Sequence, residues 1–174
     1  MKTRTEQILR AMNIIAWIIF VGLSIQTGAI IVSWFVSLHN PMAAKNLYMG
    51  LSFFNVRQYD LGHYSTVVAF VVTLSALKAF IAFLGVRIFS KLNFSQPFSA
   101  DMANAVEKIS QVSFGAGLMA LVANAYGQWL IKQGVALDYY WASEEFLLLG
   151  GVIFIVAHVF KRGIEIQAEN DLTI

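Results

Sequence analysis

The sequence predicts an all-α integral membrane protein, a four-helix bundle with both termini in the cytoplasm, and three observations lead there. Hydrophobic residues make up 58% of the 174-residue chain and charged ones only 13%, far from the balance of a soluble domain. Four apolar runs are long enough to cross a bilayer, with spans expected at about 12–37, 64–89, 111–131 and 139–160 in a single domain. The basic residues, finally, are distributed unevenly between the two sides of those runs.

The first run, Met12 to Ser37, rises ~39 Å at 1.5 Å per residue against a hydrocarbon thickness of ~30 Å. It is too long for a signal-peptide core and is expected to remain as an anchor. The second, Tyr64 to Phe89, and the third, Gln111 to Ile131, are comparable. The fourth, Phe146 to Phe160, supplies only ~22 Å by itself and reaches a spanning length if it begins at Tyr139. Tyr139, Tyr140 and Trp141 ahead of it, and Trp129 on the third helix, read as an interfacial aromatic cluster.

Orientation follows from lysine and arginine. Lys2, Arg4, Arg10, Arg87, Lys91, Lys108, Lys161 and Arg162 fall on one side, against Lys45, Arg57 and Lys132 on the other. The positive-inside rule places the eight-residue side in the cytoplasm. In the middle connection, "SKLNFSQPFSADMANAVEKIS", Pro97 stops the incoming chain, Ser99 caps a new helix and Asp101 sits near its positive end. Met102, Val106, Ile109 and Val112 continue at helical spacing, so the third helix is expected to extend into the cytoplasm. The outer connection is too apolar for a free loop. It is expected to lie across the end of the bundle, partly extended, since Leu47, Met49, Leu51 and Phe53 alternate.

Small and polar residues mark the inward faces, because lipid supplies no hydrophobic drive between helices. Ser113, Ala116, Gly117, Ala120, Ala123, Asn124 and Gly127 share one face of the third helix. Gly22, Gln26, Ala29 and Ser33 do so on the first, and Ser75, Lys78, Ala79, Ala82 and Gly85 on the second, and these faces are expected to meet. Structural packing is favoured over a transport pathway. Counted from the cytoplasmic ends, Gln26 and Asn124 both stand ~20 Å up, level for a hydrogen bond. Lys78, counted from the outer end, falls ~9 Å above the inner boundary and is expected to snorkel toward the cytoplasm. With Gln128, these three are the candidate intramembrane polar residues.

The sequence gives little purchase to catalysis. The absence of cysteine removes disulfides, thiolate metal sites and redox pairs, and a formal charge of +2 is too small to suggest nucleic acid. His39 and His63, with Asp60 near the latter, only bracket the outer loop, so no metal and no cofactor are expected. Phosphate-loop, GxSxG, HExxH and GxGxxG patterns do not occur.

Two stretches, "FSQPFSADMANAVEKIS" and the closing "KRGIEIQAENDLTI", resemble the bacterial membrane family catalogued as domain of unknown function 2975. The matching positions are Pro97 and Phe98 in the connection and Gly163, Glu165, Gln167, Glu169, Asn170, Asp171, Leu172 and Thr173 in the tail. The family usually carries a more basic helix after its Pro-Phe, whereas this chain has only Lys108 there. The resemblance implies a multi-pass protein of the bacterial cytoplasmic membrane of unassigned activity, often encoded beside a small helix-turn-helix regulator, and it does not imply an enzyme.

The leading expectation is a non-enzymatic membrane protein whose middle connection and tail form an interaction or regulatory surface. Its partners would be the lipid bilayer and either such a regulator or a second copy, with no direct nucleic acid contact. The alternative is an oligomeric transporter or channel-like element for a small solute, using Lys78, Gln26 and Asn124. The tail is expected to fold under the bundle, with Ile164, Ile166 and Leu172 over the middle connection and its acids meeting Arg87, Lys91 and Lys108.

Overall fold

The computed structural model describes residues 4–91 and 99–171. Pro97, Phe98, Leu172 and Thr173 lie outside the described residues. So do the side chains of Lys91, Asn170 and Asp171, which are placed by their backbone alone.

Four long apolar helices carry the fold: α1 (Arg4–His39), α3 (Leu61–Lys91), α4 (Ala100–Lys132) and α5 (Ser143–Asp171), with a short α2 (Phe54–Tyr59) between the first two. By length and composition all four can cross a membrane, and among the described residues there is no β-strand. They pack in chain order, α1 on α3, α3 on α4 and α4 on α5. Among the described residues α1 and α5 bring no pair of Cα atoms within 8 Å of each other. The architecture is compatible with a membrane four-helix bundle in which the first and last helices stand apart.

The register of α1 against α3 is fixed by polar and aromatic pairs. Ser37 Oγ lies 2.6 Å from the Tyr64 hydroxyl, Thr27 Oγ1 donates to Ser75 Oγ at 2.9 Å, and Phe20 and Phe83 have ring centroids 5.5 Å apart. Tyr64, Ile30 and Ser37 are wholly buried there. The face α1 presents to α3 is not the expected small-residue one. Gly22 is exposed and a Cβ there would meet nothing within 4 Å, while Gln26, Ala29 and Ser33 are half-buried. Bulky partners set this interface, so the small residues of α1 are not needed for close approach.

Between α4 and α5 the small residues act as expected. Ser113, Ala116, Gly117, Ala120, Ala123 and Gly127 are all buried. A Cβ on Gly117 would stand 2.6 Å from Leu147 Cδ2, and one on Gly150 would stand 3.1 Å from Phe114. Ser110 Oγ donates to the Gly150 carbonyl at 2.9 Å across the same interface.

At the loop end, where α1 meets α2 and α4 meets α5, the connections cover the helices. A 3-10 turn (Pro41–Lys45) is capped by Asn40, whose side chain accepts from the Met42 N–H. Ala44, Leu47, Phe53 and Val56 are buried in the core, so this segment does close the end of the helices. It is not extended as the alternation suggested. Met49 (φ 44°) and Gly50 (φ 89°) form a tight reverse turn that leaves Met49 87% exposed. Arg57 donates to the carbonyls of Ser37 and Leu38, both at 3.4 Å, near the last turn of α1. Asp60 starts α3: its Oδ1 accepts the His63 N–H at 2.8 Å, and that backbone bond holds its carboxyl below the ordinary range.

α4 ends in a Schellman motif. Gly134 takes φ 85°, its N–H bonds the Ile131 carbonyl, and the Val135 N–H bonds Leu130, with Val135 and Leu130 both buried. At its other end, Ser99 Oγ accepts the Met102 N–H, as its position in the sequence predicts.

The tail departs from expectation. α5 runs unbroken from Ser143 to Asp171 instead of folding back, and residues 165–169 are exposed. Gly163 alone does not stop a helix without a proline or a second breaker behind it. Glu165 pairs with Arg162 on its own helix at 2.7 Å, an i,i+3 contact that favours continuation. The tie between the two helix ends runs the other way round, from Lys161 of α5 to Glu107 of α4 at 2.9 Å.

Gly117→Val should destabilise the protein by about 1–3 kcal/mol through overpacking against Leu147. Gly151→Ala, with nothing within 4 Å, should stabilise it by about 0.4–1 kcal/mol. Denaturant unfolding in mixed micelles measures both.

Candidate functional site

Polar chemistry inside the helices concentrates where the segment between α4 and α5 turns inward. The expected fourth span does not begin at Tyr139; residues 135–142 are non-helical and α5 starts at Ser143. Asn124 holds this segment from both sides of the turn. Its Oδ1 accepts the Trp141 N–H at 3.3 Å, and its Nδ2 donates to Ser143 Oγ at 3.1 Å. Ser143 Oγ in turn donates to Glu144 Oε2 at 3.0 Å, on the first turn of α5 where a carboxylate suits the helix dipole. Ala142, between the two held residues, adopts a left-handed φ of 54°. That conformation costs roughly 1–2 kcal/mol for a residue with a Cβ, and the bonds on either side of Ala142 keep it there.

Trp141 is drawn in by a gap in α4. A Cβ on Gly127 would lie 2.7 Å from Trp141 Cζ3 and 3.1 Å from its Cη2, so only glycine leaves room for the indole. Tyr139 packs edge-on against both Trp141 (5.1 Å) and Phe53 (5.4 Å). The aromatic cluster expected at the interface is thus partly inside the protein. Trp141 is 3% exposed, whereas Tyr140 and Trp129 remain outside.

The Gln26–Asn124 hydrogen bond does not form. Tyr126, half a turn beyond Asn124, packs tilted against Phe70 of α3 with ring centroids 5.9 Å apart, whereas Gln26 stands beside the Thr27–Ser75 bond, more than a turn away. Asn124 takes backbone and Ser143 as partners instead.

Lys78 is also placed differently. It shares a cavity of about 80 Å³ with Leu23, Gln26, Ser75, Tyr139 and Trp141, and its Nζ lies 5.4 Å from the Phe146 ring centroid at the start of α5. The second run rises ~39 Å, so counting down from its outer end through a ~30 Å core set Lys78 too low. The register with α1 puts it level with the stretch that precedes Gln26. The nearest ring is on the loop side, and the side chain does not snorkel toward the terminal end. Gln128 is exposed on α4 and does not line this cavity.

His63 and Asp60 both have partners within the chain. His63 Nδ1 lies 2.6 Å from the Tyr126 hydroxyl, and its ring packs beside Tyr59 and Trp129. Among the described residues no three His, Asp or Glu side chains group together as a metal ion would require.

Of the tail residues, Gly163 is half-buried, and Glu165, Gln167 and Glu169 lie on the exposed end of α5. The arrangement around Trp141 was not legible beforehand. Its one sequence signal was the pairing of Asn124 with Gly127 on a face that otherwise carried only small residues. A scan against protein-family models, a search of curated proteins and a search of solved structures each return no match for this chain.

Proposed function

We propose that the chain is a non-enzymatic, multi-pass protein of the bacterial cytoplasmic membrane, with both termini and the α3–α4 connection in the cytoplasm. The projecting ends of α4 and α5 form its interaction surface. The observation that carries this reading is the unbroken course of α5. Twenty residues of helix suffice for ~30 Å of hydrocarbon, and α5 starts level with Asn124, eight residues inside the end of α4, so even a span counted from Ser143 leaves at least ~13 Å of helix, through Asp171, outside it.

Several features support it. The end of α4 before Ser113 projects likewise, and Lys161–Glu107 joins the two projections at 2.9 Å. The pair is part-exposed and worth about 0–1 kcal/mol, so it orients the helices more than it binds them. Arg10, Arg87, Lys108, Lys161 and Arg162 lie at this end, as a cytoplasmic face requires. On the tail, Ile166 is 45% exposed between Glu165 and Gln167, giving an apolar contact flanked by polar side chains. A helical face of this kind suits another helix, from a small helix-turn-helix regulator of the kind the family resemblance implies or from a second copy.

Topology is testable without background, because the chain has no cysteine. A membrane-impermeant maleimide applied from the periplasmic side should label Gln58→Cys and leave Gln167→Cys unlabelled; the reverse pattern would refute the orientation. For the interaction surface, cross-linked pull-downs should lose their partner when residues 163–174 are removed. An unchanged partner set in a truncated protein that still inserts would refute that part of the proposal.

A further inference from the structure

We propose that the chain pairs with a second copy of itself inside the membrane, with Lys78 of each copy meeting Glu145 of the other. Both residues are exposed, and both stand on helices long and apolar enough to cross a bilayer. Lys78 lies ~20 Å from the nearer end of α3 at 1.5 Å per residue, farther than a lysine stem extends. Glu145 is also set inward, because α5 starts level with Asn124, eight residues inside the end of α4.

A charge on the outward side of a span is costly, and such residues normally pair with one another or face the protein interior. Neither of these charges has an ion-pair partner among the described residues of its own chain. The described pairs are Lys161–Glu107 and Arg162–Glu165, and on the first turn of α5 it is Glu144, not Glu145, that takes the Ser143 hydroxyl. With α1 and α5 apart, the side of α3 that carries Lys78 is left open.

Depth and charge select a second copy as the occupant. Lys78 Nζ lies 5.4 Å from the Phe146 ring centroid, and Phe146 directly follows Glu145, so the ammonium and the carboxylate occupy one level. Two copies inserted in the same orientation are related by a two-fold axis along the membrane normal, which leaves every depth unchanged and makes each contact twice. Lys78 of one copy is thereby level with the opposite charge of the other. Leu148, Leu149 and Val152, exposed on the turns that follow Glu145, supply apolar surface to shield the pairs. The contact rests on the membrane placement proposed above and not on the cytoplasmic interaction surface.

The test uses the full chain in liposomes, labelled with donor or acceptor dye at Gln58→Cys, since the sequence has no cysteine of its own. Energy transfer between otherwise unaltered copies should exceed that of randomly dispersed protein and saturate as protein is added. Lys78→Glu alone and Glu145→Lys alone should each weaken association at least about tenfold, because each sets like charges against one another. Mixing the two variants should restore it, since one copy then carries acids at both positions and the other carries bases. A pair formed within one chain is not rescued in that way. Should a reversed variant fail to insert, Lys78→Gln and Glu145→Gln take its place: each should weaken association, and the double variant no further than either single one. Removal of residues 163–174 should leave the transfer intact, which separates this contact from the cytoplasmic surface. Unaltered copies that transfer no more than random dispersal, charge variants that associate as tightly as those copies, a mixture that stays apart, or transfer lost with the tail would each overturn the proposal.

Discussion

Apolar helices gain nothing from lipid by coming together, because the tails around them are as apolar as they are. The close approach of α5 and its leading segment to α4 therefore needs space in α4, and the rest of the structure depends on that space. Gly117 admits Leu147, Gly127 admits Trp141, and Gly150 of α5 admits Phe114. Once the backbones are this near, a single amide, Asn124, can hold Trp141 and Ser143 together and set where α5 begins. Without the gap at Gly127 the indole would have to leave, and the cavity beside Lys78 would lose a wall.

The serial packing of the helices gives this arrangement its consequence. With α1 and α5 apart, the face of α3 that carries Lys78 is not sealed by a fourth helix. The inward-turning segment partly fills that place, and buried Leu47, Phe53 and Val56 close the loop end above it. Polar side chains thus gather around Asn124 and Ser143, while at the opposite ends of α4 and α5 the link is the Lys161–Glu107 pair.

Much of the helical content was legible in the sequence because four apolar runs of spanning length have few alternatives. The small-residue face of α4 was legible for the same reason, since its 3.6-residue rhythm is interrupted by nothing bulky. Register was not. Lys78 was set too low because a helix longer than the bilayer is thick has no unique depth origin, and only side-chain pairs such as Thr27–Ser75 fix it. Asn124 was given the wrong partner because backbone groups of a non-helical segment carry no residue-type signal. The tail was expected to fold back, and what continues it as a helix is local: an i,i+3 pair and the lack of a second breaker after Gly163.

Hydrogen exchange at the Trp141 amide, with the protein in nanodiscs, tests most directly whether Asn124 holds the segment inside the helices. Strong protection in the wild type is expected. In Asn124→Leu that protection should be lost from residues 139–143 while the middles of α4 and α5 stay protected. A Trp141 amide that exchanges in the wild type as fast as an open loop would contradict the account.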